Sequence, residues 1–335
     1  MRLITACICC MLITVLFMGC GNEWKAQAPA SASSSVTVDT FDGYAGQGRI
    51  ISQTFYEVPK RVLAVSESSI DNMMFLELQD HIAAVSSCTA DERWPGTDKY
   101  RLFYKLADYG YPSKEAVLGL QPDLIVSWGS LFGDSALGSV TYWHTKGIHT
   151  YVLSNTMPAK YSNGRKVENI IRDLRALTQI FRIQDERLQK IDALQQRIDK
   201  LKQKAAAEPA EKRPSVVTIQ YVYGNEFYGR GNTDMTTDII AVAGGRSLDA
   251  DIGGKKSVEY LIKQNPDVIM VVDMPRRPAE AKIRTMRAHP LLQRVTAVKH
   301  NQFFKIPYRA FYGGSVYTIE ETERLHEYLK QCIRG

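Results

Sequence analysis

Two short stretches concentrate the side chains best suited to gripping a bulky polar molecule. Tyr221, Tyr223, Phe227, Tyr228 and Arg230 fall within ten residues, and Tyr308, Arg309, Phe311 and Tyr312 within five. Aromatic rings supply rigid contact area with a polar tip. The arginine fork pairs with carboxylate or catecholate oxygens and stacks on rings. Trp128 stands just past the apolar run 124–126. Arg93, Trp94 and Tyr100, in the segment 88–103, are lesser candidates of the same kind. Tyrosines that alternate in a strand also read as core, and an arginine beside them as an ion-pair partner. Which reading holds depends on where the chain places them.

Other chemistry finds little support. No Gly-x-Ser-x-Gly, His-Glu-x-x-His or phosphate loop occurs. The six histidines, at 81, 144, 149, 289, 300 and 326, are scattered. His144 falls in a predicted helix and His149 opens a predicted strand, so a shared site is not expected. A bare Zn²⁺ or Mn²⁺ site would place His and carboxylates at strand ends, where this chain puts Trp, Tyr, Ser and Arg. The expectation is a binding protein rather than an enzyme, with no metal ligands or cofactor of its own.

In open α/β sheets ligands lie outside the carboxyl ends of strands, so the strands decide the site. Residues 61–65, 82–86, 122–126 and 149–153 are short, mostly apolar runs. Helices are predicted between them at 70–78, where Ser66 to Ser69 supply a cap, at 113–120 and at 137–146. This rhythm predicts a parallel sheet covered on both faces. Ahead of it, the alternation in 37–60 predicts a small β-ribbon. A helix over 167–181 follows, then a break near Arg182. In 184–206, Leu188, Ile191, Leu194, Ile198 and Leu201 recur every three or four residues. That helix spans roughly 35 Å. It is short for a coiled-coil dimer and reads better as a helix joining two lobes, ended by Pro209 and Pro214. Strands then resume at 215–221, 266–272 and 302–306. Helices are predicted at 234–243, 257–264, 284–289, 291–296 and 318–333. An internal repeat marks the two halves: Pro122-Asp-Leu-Ile-Val and Pro266-Asp-Val-Ile-Met each follow a helix that opens near Glu115 or Glu259.

The predicted organisation is α/β, with a first lobe over 37–183, a joining helix over 184–206 and a second lobe over 207–335. The strand-end rule offers residues 66–68, 87–89 and 128–130 in the first lobe, and 221–230, 274–277 and 308–312 in the second. The expected ligand contacts are Ser66, Trp128, Tyr223, Tyr228, Arg230, Tyr308, Arg309 and Tyr312.

The N-terminus carries an address. Residues 3–18 form a nearly unbroken apolar run behind Arg2, and Gly19 precedes Cys20. The run is short for a membrane span, which needs about 20 apolar residues, and reads as an export signal over 1–19. Phe17-Met-Gly-Cys20 resembles a bacterial lipobox, in which the cysteine is lipidated, although Phe17 stands where Leu is usual. An ordinary secretory signal is the alternative. Residues 20–36 then form a tether rich in Ala, Ser and Pro. Of the six cysteines, Cys7, Cys9, Cys10 and Cys20 belong to the leader and anchor. Cys88 and Cys332 read as buried free thiols, with a pairing left open. The 335 residues carry 44% apolar and 23% charged side chains and a net charge of +6. Loss of Arg2 would leave +5, too mild and dispersed to indicate nucleic acid.

The ordered set of motifs resembles a family. Pro59-Lys-Arg-Val62, Leu120-Gln-Pro-Asp-Leu-Ile125, Ala243-Gly-Gly-Arg-Ser247, Asn265-Pro-Asp-Val-Ile269 and Leu291-Leu-Gln-Arg-Val-Thr-Ala-Val-Lys299 before Gln302-Phe-Phe-Lys-Ile-Pro307 are its landmarks. With the lipobox and the central helix they resemble the substrate-binding lipoproteins of bacterial ABC importers for ferric siderophores, haem and cobalamin. The resemblance covers roughly 58–330. It implies two Rossmann-like lobes with mostly parallel sheets joined by a single long α-helix, the ligand cleft between them. It further implies a monomer outside the cytoplasm that delivers an iron chelate or a tetrapyrrole to a permease dimer and its ATPase. The iron would be held by its chelator. Asp71 and Asp238, one per lobe, are the implied contacts with permease arginines. A surface lipoprotein without a transport role, or an extracellular enzyme, remains the alternative class.

Overall fold

The computed structural model describes residues 35–44, 47–90, 93, 96–107, 110–133, 136–162, 164–231, 234–248 and 254–332. The leader, Cys20, most of the tether and Trp94 lie outside them. Residues 35–335 form one compact unit.

The chain opens with an antiparallel hairpin of β1 (Val36–Tyr44) and β2 (Gln47–Phe55). This is the ribbon expected over 37–60. The first sheet follows: β3 (Val62–Val65), β4 (Ile82–Ser86), β5 (Lys105–Ala107), β6 (Leu124–Ser127) and β7 (His149–Val152). Its order is β5-β4-β3-β6-β7, and every pairing is parallel. All four residues of β3 and of β6 are buried, as expected when helices cover both faces of a parallel sheet. The hairpin protects the β7 edge. The Gln53 carboxamide donates to the Thr150 carbonyl and accepts from the Thr150 N–H at 3.3 Å, so one side chain completes the edge as a neighbouring strand would.

The second sheet contains β8 (Ser215–Tyr223), β9 (Glu226–Gly229), β10 (Arg246–Ser247), β11 (Gly254–Ser257), β12 (Val268–Asp273) and β13 (Phe303–Pro307). Its path is β11-β9-β8-β12-β13, with β10 also on β8. β8, β10, β12 and β13 are parallel, whereas β9 and β11 add on antiparallel. Here the sequence reading is corrected. Residues 221–230 are not a loop past a strand ending at 221. The strand continues through Tyr221, Val222 and Tyr223, which favour extended backbone. It reverses at Gly224, whose φ of 56° suits a two-residue Gly-Asn turn.

The internal repeat has a physical basis. Each copy ends its helix on a residue in left-handed conformation, Gln121 (φ 50°) or Asn265 (φ 42°). Proline then prevents continuation. The aspartate that follows holds the start of the neighbouring central strand. Asp123 accepts from the Lys60 and Arg61 N–H groups at 2.6 and 3.0 Å. Asp267 accepts from the Ser215 N–H and hydroxyl, both at 2.7 Å.

The helix expected over 184–206 forms at Arg187–Ala206, after a break at Arg182, which has a φ of 54°. Its 20 residues span about 30 Å. It buries Ile191, Leu194, Ile198 and Leu201 against helix Asn169–Ile180 on one side and helices Met235–Val242 and Val316–Leu329 on the other. Lys190–Glu77 (2.5 Å) and Arg197–Glu323 (2.6 Å) add ion pairs to both halves.

Candidate cleft between the two sheets

The carboxyl ends of the two sheets face a shared cavity of about 280 Å³. On the first side Glu67 follows β3, Ser87, Cys88 and Thr89 follow β4, and Trp128 follows β6, with Thr97, Gly110 and Tyr111 beside them. On the second side Asp273 closes β12 and leads into Met274 and Pro275, and Pro307 closes β13 before Tyr308 and Arg309. The strand-end rule thus locates the cavity on both sheets.

The aromatic candidates divide. Trp128 meets the Tyr312 ring at 4.7 Å edge to face and Tyr308 at 6.4 Å, and Tyr308 stacks on Tyr312 at 5.5 Å and 14°. One continuous aromatic cluster therefore crosses from the first sheet to the second; Trp128 and Tyr308 line the cavity, whereas Tyr312 is not among its lining residues. Burial pushes the Tyr308 hydroxyl upward, and the neighbouring Tyr312 adds to this. Close packing at this seam requires Gly313: a Cβ there would fall 2.3 Å from Trp128 Nε1 and 2.8 Å from Ser68 Oγ. Tyr223 and Tyr228 are 51% and 39% exposed, on the β8–β9 hairpin, and do not line the cavity. Tyr221 joins them, and Arg277 stacks over Tyr221 and donates to the Tyr223 hydroxyl at 2.7 Å.

The arginines are engaged within the protein. Arg230 pairs with Asp234 at 2.7 Å, donates to Gln220 at 2.8 Å, and lies behind the cluster against Phe311 and Tyr312. Arg309 lines the cavity but is only 5% exposed. Its Nη1 lies 3.6 Å from Asp71 and 3.4 Å from the Tyr100 hydroxyl, and its guanidinium stacks on Tyr317 at 3.8 Å. Arg93 reaches from the first side to Asp273, with Nη1 2.9 Å from both carboxylate oxygens. Sequence could not supply the partners of Arg309 and Arg93, because Asp71 and Asp273 lie 238 (309 − 71) and 180 residues away in the chain.

Three of the expected residues sit in settings that the sequence did not disclose. Ser66 is fully buried and caps helix Glu67–Phe75 by accepting from the Ser69 N–H, so its neighbour Glu67 reaches the cavity instead. Asp71 does not sit on an open surface. It is 4% exposed, accepting from Tyr100 at 2.5 Å and Ser315 at 3.2 Å. Burial lifts its carboxyl from 3.8 to about 6, against the pull of Arg309 and both hydroxyls. Asp238 is half-buried and accepts the Val167 N–H at 2.8 Å, and burial raises its carboxyl too. Asp234 pairs with Arg165 at 2.6 Å beside it. Both aspartates are thus tied to residues from the opposite half of the chain. Cys88 and Cys332 are free thiols, and burial pushes the Cys88 thiol up to about 12. Thr97, Gly110, Tyr111 and Asp273 were not anticipated. The first three come from an irregular segment with no periodic signal, and Asp273 was hidden as the last residue of a strand.

A family model of periplasmic binding proteins matches residues 62–310. Solved structures share the fold. A periplasmic binding protein from Veillonella parvula is 24% identical, with 88% of this chain and 91% of that one covered and a TM-score of 0.73. An ABC-type Fe3+-hydroxamate transport protein from Saccharomonospora viridis is 18% identical, with 83% and 96% covered and a TM-score of 0.65. The periplasmic haem-binding protein HutB of Vibrio cholerae is 18% identical, with 80% and 98% covered and a TM-score of 0.63. Among curated proteins none matches in sequence. With the family model extending from β3 past β13 and the cleft at the ends of both sheets, this chain belongs to the periplasmic binding protein family.

Proposed function

We propose that the protein is the extracytoplasmic solute-binding component of an ABC importer, anchored by a lipid on Cys20, that captures a ferric siderophore and passes it to a permease dimer driven by its ATPase. The observation that carries this reading is that Trp128 from the first sheet and Tyr308 from the second line one cavity and meet through Tyr312, with Arg309 beside them. Such a lining suits a bulky chelate that brings its own iron. At about 280 Å³ the cavity lies at the small end of ligand sites, which run from about 300 to 1,000 Å³. Binding therefore requires some parting of the two sides, while the long helix keeps that motion small. Asp238, partly buried but less so than Asp71, is the better placed of the two aspartates to meet a permease. A haem ligand is the second reading, favoured by the Tyr308 phenol at the cavity, a side chain able to ligate haem iron.

Tryptophan quenching of the purified chain against ferric trihydroxamate, ferric tricatecholate, haemin and cobalamin tests the proposal. The expected result is saturable binding of a ferric siderophore. Binding of none of the four overturns it.

A further inference from the structure

Among the described residues, each charged side chain that lines the cleft is answered from within the protein. The lining contains three: Glu67, Asp273 and Arg309. Arg309 lies 3.6 Å from Asp71 and 3.4 Å from the Tyr100 hydroxyl, and stacks on Tyr317. Asp273 accepts from Arg93 Nη1, 2.9 Å from both oxygens, and from the Ala279 N–H at 2.7 Å. Glu67 stands in the first turn of helix Glu67–Phe75, where the helix dipole favours a negative charge, and accepts the Thr89 N–H at 3.3 Å. The rest of the lining is uncharged. It includes the Trp128 and Tyr308 rings and the Cys88 thiol, which burial keeps protonated.

We propose that the cleft selects an uncharged chelate, of the ferric trihydroxamate class, and discriminates against an anionic one. This rests on the reading of the cleft as an iron-chelate site. Counted with their partners, the charged groups are the carboxylates of Glu67, Asp273 and Asp71 and the guanidiniums of Arg309 and Arg93. Among the described residues the cleft therefore holds no surplus of positive charge. An anion entering it meets the Glu67 and Asp273 carboxylates, and like charges brought together at an interface are costly.

The arginines do not alter this balance. To recruit Arg309, an anion would have to draw the guanidinium away from Asp71, leaving a carboxylate that is 4% exposed without its cation. At pH 7.5, above the value of about 6 to which burial lifts Asp71, that pair is charged on both sides. To recruit Arg93, the anion would have to take it from Asp273, which itself lines the cleft. An uncharged chelate meets neither obstacle. Three hydroxamates balance the charge of Fe³⁺, so the chelate brings no net charge to be compensated. Its apolar flanks suit the Trp128 and Tyr308 rings, and its oxygens can accept from hydroxyls such as those of Thr89 and Tyr111. A tricatecholate keeps a net negative charge that nothing described in the cleft offsets.

The test uses the full chain and two ferric trihydroxamates that differ at one position, a free carboxylate in one and its primary amide in the other. Dissociation constants are measured at pH 7.5 by tryptophan quenching. The amide should bind at least about tenfold more tightly than the carboxylate. Glu67→Gln raises the charge of the lining by one unit and should shrink that ratio by about threefold or more. Taking the ratio cancels any effect of the substitution common to both ligands, and circular dichroism reports that the variant is folded. A carboxylate chelate that binds as tightly as the amide, or more tightly, overturns the proposal and leaves the functional reading standing. So does a ratio that Glu67→Gln leaves unchanged. If neither chelate binds, the siderophore reading falls and takes this proposal with it.

Discussion

Gly313→Ala tests the seam between the two halves at one atom. The added Cβ would lie 2.3 Å from Trp128 Nε1, 2.8 Å from Ser68 Oγ and 3.0 Å from Trp128 Cδ1. Neither neighbour has room to retreat. Trp128 is 8% exposed and lies edge-on to Tyr312, and Ser68 is fully buried at the start of a helix. The backbone at 313 lies outside the left-handed region, so the whole penalty is steric. Overpacking of this kind costs about 1–3 kcal/mol, and a chain of this size should lose roughly 2–5 °C in Tm. The relief available is movement of the indole or separation of the halves, and either disturbs the aromatic cluster. Thermal unfolding followed by circular dichroism, with tryptophan emission read alongside, measures both effects. Gly119→Ala is the control. Gly119 lies in helix Lys114–Leu120 with nothing within 4 Å of its Cβ position, so alanine there should be neutral or stabilising by up to about 1 kcal/mol. An unchanged Tm and emission in Gly313→Ala would refute the packing argument.

Further predictions concern titration, the sheet edge and cleft access. Burial lifts Asp173, like Asp71, from 3.8 to about 6, so the folded state holds those protons more tightly than the unfolded chain. Each group therefore adds about 1.4 kcal/mol of stability as pH falls from 7.5 to 5. Half-buried His144 and His149, held low by burial, act in the opposite direction. The deciding quantity is thus a difference: denaturant unfolding of Asp173→Asn should show an acid gain about 1.4 kcal/mol smaller than wild type, and an equal gain contradicts the assignment. Gln53→Ala leaves both polar groups of Thr150 unpaired at the β7 edge and should cost about 1–3 kcal/mol by chemical denaturation. Cys88 lines the cleft, whereas Cys332 does not. A bound ligand should therefore slow alkylation of Cys88 at high pH and leave Cys332 unchanged, read by peptide mass spectrometry.

The fold was legible where local sequence alone decides it. The runs that became β3, β6 and β12 are apolar almost throughout because both faces of their sheets are covered. The polar run from Ser66 announced a helix start, and Ser66 does accept an N–H bond there. The paired Pro-Asp motifs marked corresponding points in the two sheets. What the chain did not disclose depends on distant partners. β9 and β11 are only 4 residues each, and their pairing is set by a turn rather than by a long apolar pattern. In the site, Trp128, Tyr308 and Tyr312 could be located by the strand-end rule. The state of Arg309 could not, because it meets Asp71 only once the fold is complete. Asp71 looked like a helix-face carboxylate because nothing near it in sequence reveals that helix Val316–Leu329 packs over it.

The central claim is that one ligand touches both sheets at once. Hydrogen–deuterium exchange of the chain saturated with whichever chelate binds tests it most directly. The account predicts simultaneous protection after β6, around Trp128, and after β13, from Tyr308 to Tyr312, with the Tyr223–Tyr228 hairpin unchanged. Protection confined to one sheet, or centred on that hairpin, would contradict it.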